Sequence, residues 1–464
     1  MMDRRLSAIP RIARLVGFAS ALSVALTLPA GRAPAADTNP AVDEPVADNA
    51  YLRWLKIAEE KGRSIGLQVA VRDFDRPDEA GPMVSLVGMA HIGEASFFAA
   101  AQELLGRYDV VLYESVKPPG AGGAGGETDE ERVRSTLAAL EFTAGLVELF
   151  HDHRGDYPDD LDDLRSFAAK VDPRLPQFLE AALVDAWGRA LLYTPDAGTP
   201  PGGSRADEHS EPADAGRSYR LWSFGADGRE GGEGIDADLA PDRAISALEL
   251  AADDGLQGQL ATALRLKFQL DALDYAKPNW RCSDMSMDQV ASGLAEYGID
   301  FGPLSGALAG SSFPAQLVKA VLGVLRIADA FVGGAIVDTF KVVMIEMLSD
   351  EAVMEQTIDI YGEGFSEVII NRRNQVVIDD LKRLITDEPE VRSVAILYGA
   401  AHLPDLARRL HDQLGYRPGD DRWLTAIEVD LTESAVTPGD IRQIRAMVKW
   451  MMAQQLPREE KSRD

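Results

Sequence analysis

Two copies of one short pattern carry most of the chemistry this chain could perform. They are Gly88-Met89-Ala90-His91 and Gly399-Ala400-Ala401-His402. Only six histidines occur in 464 residues, and these two sit at the same place in two similar stretches. A glycine three positions ahead lets backbone or ligand approach the imidazole closely. Downstream of each His an apolar run closes on a carboxylate, Glu114 or Glu428. Two neutral imidazoles and one carboxylate can hold a divalent metal and leave room for water. Such a metal lowers the pKa of that water and polarises a carbonyl. On this reading His91, His402 and Glu114 are metal ligands, with Glu114 alternatively a general base. Arg373 cannot deprotonate and offers a planar fork of donors. It suits an oxyanion or a substrate carboxylate, with Asn374 orienting it or adding a hydrogen bond. The competing reading of Arg373 and Asn374 is a buried ion pair that ties their helix to Glu114. For the two histidines it is ordinary core side chains after tight turns.

The elements that must position these groups are legible as a repeated unit. Apolar runs at 83–87 and 393–398 read as buried strands. Amphipathic stretches at 95–105 and 404–414 follow as helices, each ending at a Leu-Gly pair. Apolar strands at 110–114 and 423–428 then carry the carboxylates. Each His therefore sits at the carboxyl end of a strand, the edge where open α/β sheets bind ligands. Elsewhere, 51–61 reads as a helix, 67–74 as a strand and 117–126 as a flexible linker. Residues 244–272 and 358–384 read as long helices, the second carrying Arg373 and Asn374 at its middle. Ser283-Asp284-Met285-Ser286 supplies an N-cap for a helix over 287–297. Residues 301–348 are apolar, but Lys319, Arg326, Asp329, Asp338 and Lys341 interrupt them. They read as a buried helix pair rather than a membrane hairpin.

Composition narrows the class. Arg4, Arg5, Arg11 and Arg14, an apolar stretch at 15–30 and Ala33-Pro34-Ala35 form a secretory signal peptide over 1–36. The mature chain is then periplasmic or extracellular, or anchored if the signal is retained. A net charge of −28 argues against nucleic acid and anionic lipid as partners. Cys282 is the only cysteine, so an intramolecular disulfide is excluded. No His-Glu-x-x-His helix, Gly-x-Ser-x-Gly elbow or phosphate-binding loop with Lys is present, which argues against a zincin, a serine hydrolase and a nucleotide enzyme.

Residues 129–242 change character and read as an inserted lobe. Asp227, Asp236 and Asp238 flank a Gly-rich loop able to fold back on itself. Ca²⁺ takes six to eight hard oxygen ligands, so the loop is a candidate Ca²⁺ site, the alternative being a solvated acidic loop. His153-Arg154-Gly155-Asp156-Tyr157-Pro158, Asp185-Ala186-Trp187-Gly188 and Ser223-Phe224-Gly225-Ala226-Asp227-Gly228 through Asp236-Ala237-Asp238 resemble the C-terminal domain of the type II secretion major pseudopilin. That resemblance implies a Ca²⁺ held by Asp227, Asp236, Asp238 and carbonyls near Phe224. It also implies a secretion-system protein as a partner of the lobe. The hydrophobic N-terminal helix by which pseudopilins polymerise has no counterpart, since a linker stands in its place.

The remaining motifs resemble a second family. Gly88-Met89-Ala90-His91, Tyr113-Glu114, Gln269-Leu270-Asp271-Ala272-Leu273-Asp274-Tyr275, Arg373-Asn374 and Gly399-Ala400-Ala401-His402 fall in the order of the TraB/TIKI/GumN group. That group belongs with erythromycin-esterase-like and ChaN-like proteins, and the likeness covers 51–117 and 245–432. It implies an α/β fold of two pseudo-symmetric strand–helix–strand halves around one site. The halves would be 37–128 and 243–464, with the small α+β pseudopilin-like lobe of 129–242 between them. For the TIKI branch it implies hydrolysis of peptide or protein substrates that depends on a divalent metal such as Mn, Co or Zn. The expectation is an exported metal-dependent hydrolase with a His/His/Glu site. The alternatives are a non-enzymatic metal- or ligand-binding protein and an accessory component of type II secretion.

Overall fold

The computed structural model describes residues 54–77, 81–195, 219–246, 255–300, 335–349 and 363–455. The expected signal peptide and most of the apolar 301–348 segment lie outside these residues. The chain opens with a hairpin of β1 (Leu55–Glu60) and β2 (Ser64–Asp75), turned at Gly62 with φ +75°. It continues through β3 (Met83–Met89), β4 (Ile92–Gly93), α1 (Ala95–Leu105) and β5 (Val110–Tyr113). A helical segment follows: α2 (Asp129–Arg154), α3 (Leu161–Val171) and α4 (Leu175–Ala182), then the strand pair β6 (Leu192–Pro195) and β7 (Tyr219–Trp222). After α5 (Gly255–Ala263) come β8 (Lys267–Phe268), β9 (Trp280–Cys282), α6 (Met287–Glu296) and α7 (Ala335–Leu348). The chain then runs through α8 (Arg373–Asp387), β10 (Ser393–Gly399), α9 (Leu403–Leu414), β11 (Arg417–Asp430) and α10 (Pro438–Gln455).

The fold is mixed α/β, built on one mixed sheet. Its order is β11-β2-β3-β10-β5-β9, with β1 sharing an edge of β2 with β3. The strands β3, β10, β5 and β9 are parallel to one another, and Leu397 pairs with Val87 on one side and Tyr113 on the other. These strands read as continuous apolar runs because both faces are covered. On one face Val84, Leu86, Leu112, Val394 and Ile396 pack with Val377, Leu381, Leu406 and Leu410 of α8 and α9. On the other, Val87, Val111 and Leu397 pack with Phe97 and Phe98 of α1, Phe340 of α7 and Ile444 of α10. The crossover β3–α1–β5 passes β10, and β10–α9–β11 runs the opposite way past β3 and β2. Right-handed crossovers in opposite directions place their helices on opposite faces, where α1 and α9 lie.

Several local expectations give way to tertiary packing. Residues 51–61 read as a helix, but Leu55–Glu60 is a strand paired in register with β2. Sheet pairing and burial of Trp54 and Leu55 outweigh the local pattern. The Gly-rich 117–126 segment is packed rather than flexible. Gly120 has φ +77°, its N–H donates to Asp288 Oδ1 at 2.9 Å, and a Cβ there would meet Ala138 O at 2.0 Å. Gly120 and Gly126 permit close approach to α2, and Gly122 to Ser286 and Gln289 at the start of α6. The long helix expected over 244–272 is interrupted: α5 stops at Ala263, Arg265 takes φ 56°, and β8 follows.

The described residues between 121 and 245 carry a core of their own, including Leu140, Phe142, Leu146, Phe178, Tyr219 and Leu221. Thr128 and Glu131 form a capping box that starts α2, and Gly155 at φ +83° ends it. This segment is also tied to the sheet. Gln177 of α4 donates to the Tyr113 hydroxyl and accepts from Cys282 N at 2.8 Å, and Arg174 donates to Ser115 Oγ at 3.2 Å. Among the described residues no helix is long and apolar enough to cross a membrane.

Candidate active site

Four neighbouring parallel strands each deliver a polar side chain at their carboxyl ends. His91 follows β3, His402 follows β10, Glu114 follows β5 and Asp284 follows β9. Arg373 and Asn374 reach the same edge from the start of α8. A π-helical turn over Glu367–Arg372 immediately precedes them. Such turns are frequent at functional sites because the wider turn re-aims the next side chains. Arg373 and Asn374 are both buried, although adjacent in sequence.

Arg373 is the hub. Its Nε and Nη2 donate to Asp284 Oδ1 and Oδ2 at 2.9 and 2.8 Å, a bidentate fork. The same Nη2 donates to Glu114 Oε1 at 2.7 Å. The other oxygen of Glu114 accepts from Gly399 N at 2.6 Å. Asp284 itself is placed by its chain neighbour: Tyr398 OH donates to Ser283 O, and Ser283 Oγ donates to Asp380 Oδ2 at 2.6 Å. The ion pair between Arg373 and Glu114, one of the two readings of that arginine, is therefore formed.

Asn374 sets the state of His402. Its Nδ2 donates to His402 O at 3.1 Å and Asp405 Oδ2 at 2.9 Å, both pure acceptors. Its Oδ1 must then face His402 Nδ1, 2.8 Å away, which makes Nδ1 the protonated nitrogen. His402 Nε2 keeps its lone pair and lies 3.5 Å from Glu114 Oε1 and 3.4 Å from Arg373 Nη1. Burial, ahead of the charge of Arg373, lowers the His402 pKa to about 4 against the pull of Glu114, so the ring is neutral at pH 7. For Glu114, burial opposes ionisation. His402, which is protonated only in the acid range where this carboxyl would titrate, outweighs that together with Arg373 and the Gly399 amide, and they hold the carboxyl well below its ordinary range.

His91 lies at the mouth of the same edge and is exposed. Its Nδ1 is 3.1 Å from Gln269 Oε1, and Gln269 N donates to His91 O at 2.8 Å. The three groups meet in front of Gly399. A Cβ built there would lie 3.1 Å from Glu114 Oε2, 3.6 Å from His91 Nε2 and 3.9 Å from His402 Cδ2. The two motif glycines thus do different work. A Cβ on Gly88 would come within 2.4 Å of Val69 Cγ1 and 2.9 Å of Ala70 O, inside the core. Gly399 has φ −54° and ψ 141°, open to any residue. Gly88→Ala is expected to cost about 1–3 kcal/mol by overpacking. Gly399→Ala should melt near wild type while filling the space between the three side chains. Thermal melts of both variants check this, and equal losses would count against it.

The structure brings together His91, Glu114, His402, Arg373 and Asn374. It leaves Glu428, the second strand-end carboxylate of the repeat, exposed within β11 on the far side of β2. Asp284 takes the place of a second carboxylate. In the sequence Asp284 reads only as part of the cap over Ser283-Asp284-Met285-Ser286. The strand before it, Trp280–Cys282, is short and carries the exposed Arg281, so it gives none of the apolar signal that marks the strand before Glu114. Gln269 stands in a motif that by itself assigns it no role.

In the inserted segment the Gly-rich loop does fold back, with Ala226 N donating to Ile235 O at 2.9 Å. Its carbonyls at Gly225 and Ala226 accept from the Arg189 guanidinium. Asp227 Oδ1 accepts from Arg229 N at 3.0 Å and Asp238 Oδ1 from Gly231 N at 3.2 Å. Asp236 closes a short 3₁₀ turn, Gly234–Asp236.

The donors at the sheet edge can be tested against a divalent metal. Two neutral imidazoles suit one in type, and an Nδ1 held by an amide oxygen is how ligating histidines are oriented. Glu114 suits it less as a third ligand, because each of its oxygens already accepts from Arg373 or Gly399. Among the described residues, no group of three or more His, Cys, Asp or Glu is arranged to hold a metal ion. Compared with family models, curated proteins and solved structures, the chain gives no match.

Proposed function

We propose that this chain is an exported hydrolase of the TraB/TIKI type that cleaves peptide bonds at the His91–Glu114–His402 cleft. The observation that carries the reading is the convergence of these three side chains in front of Gly399. The chemistry favours ligation over proton abstraction. A carboxylate held as low as Glu114 and an imidazole near pKa 4 are weak bases at neutral pH. Both are already deprotonated, which is the form that binds a cation. His91 and His402 would hold Mn, Co or Zn through Nε2, with Glu114 beside them. When bound, the metal supplies an activated water and a polarised carbonyl. The chain itself neutralises Glu114 through Arg373, holds the His402 tautomer through Asn374, and keeps a space open at Gly399.

Hydrolysis of a peptide library by the full mature chain tests the proposal. Activity should be lost in chelator and regained with Mn²⁺, Co²⁺ or Zn²⁺. Activity that survives chelation would sink the metal-dependent reading, and no cleavage under any metal would favour the ligand-binding alternative.

The same reading takes the two strand–helix–strand units as pseudo-symmetric halves, supported by the matched places of His91 and His402. It takes 129–242 as a pseudopilin-like lobe that binds Ca²⁺ through the Asp227–Asp238 loop and docks a secretion-system protein. The folded-back loop supports it. Millimolar-scale Ca²⁺ should raise the melting temperature of the full chain, and Asp227→Ala should remove that rise. Identical melts in Ca²⁺ and chelator would remove the claim.

A further inference from the structure

The two histidines of the cleft share a feature beyond their motif: the ring Nδ1 of each faces a side-chain amide. For His402 the partner is Asn374, and the two acceptors around Asn374 Nδ2 settle its orientation. For His91 the partner is Gln269, which comes from the start of the short helix Gln269–Ala272 just after β8. Gln269 is buried at 3% exposure although it is polar. Both ends of its amide are used. Oε1 faces His91 Nδ1 at 3.1 Å and Nε2 lies 3.2 Å from the Tyr275 hydroxyl. The backbone adds a clamp. Gln269 N donates to His91 O at 2.8 Å, and β4, directly after His91, pairs with β8, directly before Gln269. Tyr275 is fixed in turn against Tyr113 and Trp280, with ring centroids 4.9 and 5.3 Å away.

We infer that Gln269 is a positioning residue for the proposed site. Its Oε1 accepts from His91 Nδ1–H, fixing the tautomer that leaves Nε2 with a lone pair toward Glu114 and Gly399. The cleft is then lined by two imidazoles in one tautomer, each set by a carboxamide from a different element. An amide has one advantage over a carboxylate in this place. It fixes the proton without adding negative charge beside Glu114 and Asp284. The inference rests on the proposed function for its importance, but the tautomer is measurable without any activity.

The test is long-range ¹H–¹⁵N correlation of the histidine rings in the full mature chain at pH 7. Signals are assigned by those lost in His91→Ala and His402→Ala. Wild-type His91 should show the Nδ1–H pattern, as should His402. Gln269→Glu offers only acceptor oxygens when ionised, so the His91 pattern should persist. Gln269→Met removes the acceptor, and His91 should shift to mixed tautomers while His402 stays unchanged as the internal control. If peptide hydrolysis is found, Gln269→Met should lower kcat/KM about 10–100-fold, the usual loss for a residue that orients a ligand. Wild-type His91 with Nε2–H, or a tautomer switch in Gln269→Glu, would overturn the inference. It would mean the amide donates to the ring instead. If Gln269→Met fails to fold, the Gln269→Glu spectrum alone decides. Absent hydrolysis with the expected tautomers would reject the proposed function and leave the role of Gln269 standing.

Discussion

His402→Ala should lower peptide hydrolysis by about 10³-fold or more while leaving a folded, cooperatively melting protein. The residue is 4% exposed and its ring faces the cleft, with Asn374 Oδ1 as its nearest polar contact, 2.8 Å from Nδ1. Losing the ring removes a lone pair 3.5 Å from Glu114 Oε1, on one of the two imidazole nitrogens proposed to hold the metal and so to activate water. Glu114→Gln should be comparably inactive at nearly constant volume. The pH profile gives a second check. His402 is neutral above its pKa of about 4, so wild-type activity should fall as pH drops through that value. The linked stability has the same sign. The folded ring resists a proton that the unfolded ring accepts below about pH 6.5, so stability declines as pH falls from there toward 4. Substantial hydrolysis by His402→Ala in chelator would show that the reaction happens elsewhere.

Arg373→Met should cost about 3–5 kcal/mol of stability, the larger structural effect. The Asp284 side chain is 0% exposed and that of Glu114 9%, and both lose their counter-ion. Breaking a buried pair leaves carboxylates that must either find water or take up protons. Arg373→Lys should fall between, since Lys keeps the charge but cannot bridge both carboxylates through a planar fork. Adding Asp284→Asn to Arg373→Met should recover part of the loss, because it removes one stranded charge. Urea midpoints of the four proteins measure this. A Met variant as stable as wild type would mean the ion cluster is spectator to folding. The result also bears on the site, because Arg373 fixes where Glu114 points.

Much of the frame was legible from sequence because local periodicity and punctuation specify it. Residues 95–105 form a helix over the expected range, and the 404–414 helix gains one residue at its start. The strands at 83–87 and 393–398 extend by one or two residues. Ser286 occupies the N-cap of its helix, where its backbone N–H donates to Gln289 Oε1 at 2.9 Å. These elements follow from runs of apolar residues bounded by Gly or a capping side chain, information held within a few positions. The residues at the strand ends, His91, Glu114 and His402, followed from the same reading.

What the sequence could not hold was which strands become neighbours. Only the sheet order puts β10 between β3 and β5, and so brings His402 between His91 and Glu114. The same order sends β11 to the far side of β2 and takes Glu428 out of the site, while β9 beside β5 brings Asp284 in. Residues 55–60 became a strand because β2 had a free edge to fill, and Gly120 and Gly126 serve packing because α2 lies against them. The sequence by itself determined the chemistry on offer and the ends of elements that carry it. The tertiary structure decided which of those groups meet, because strand neighbours are chosen by long-range packing of faces that look alike in sequence.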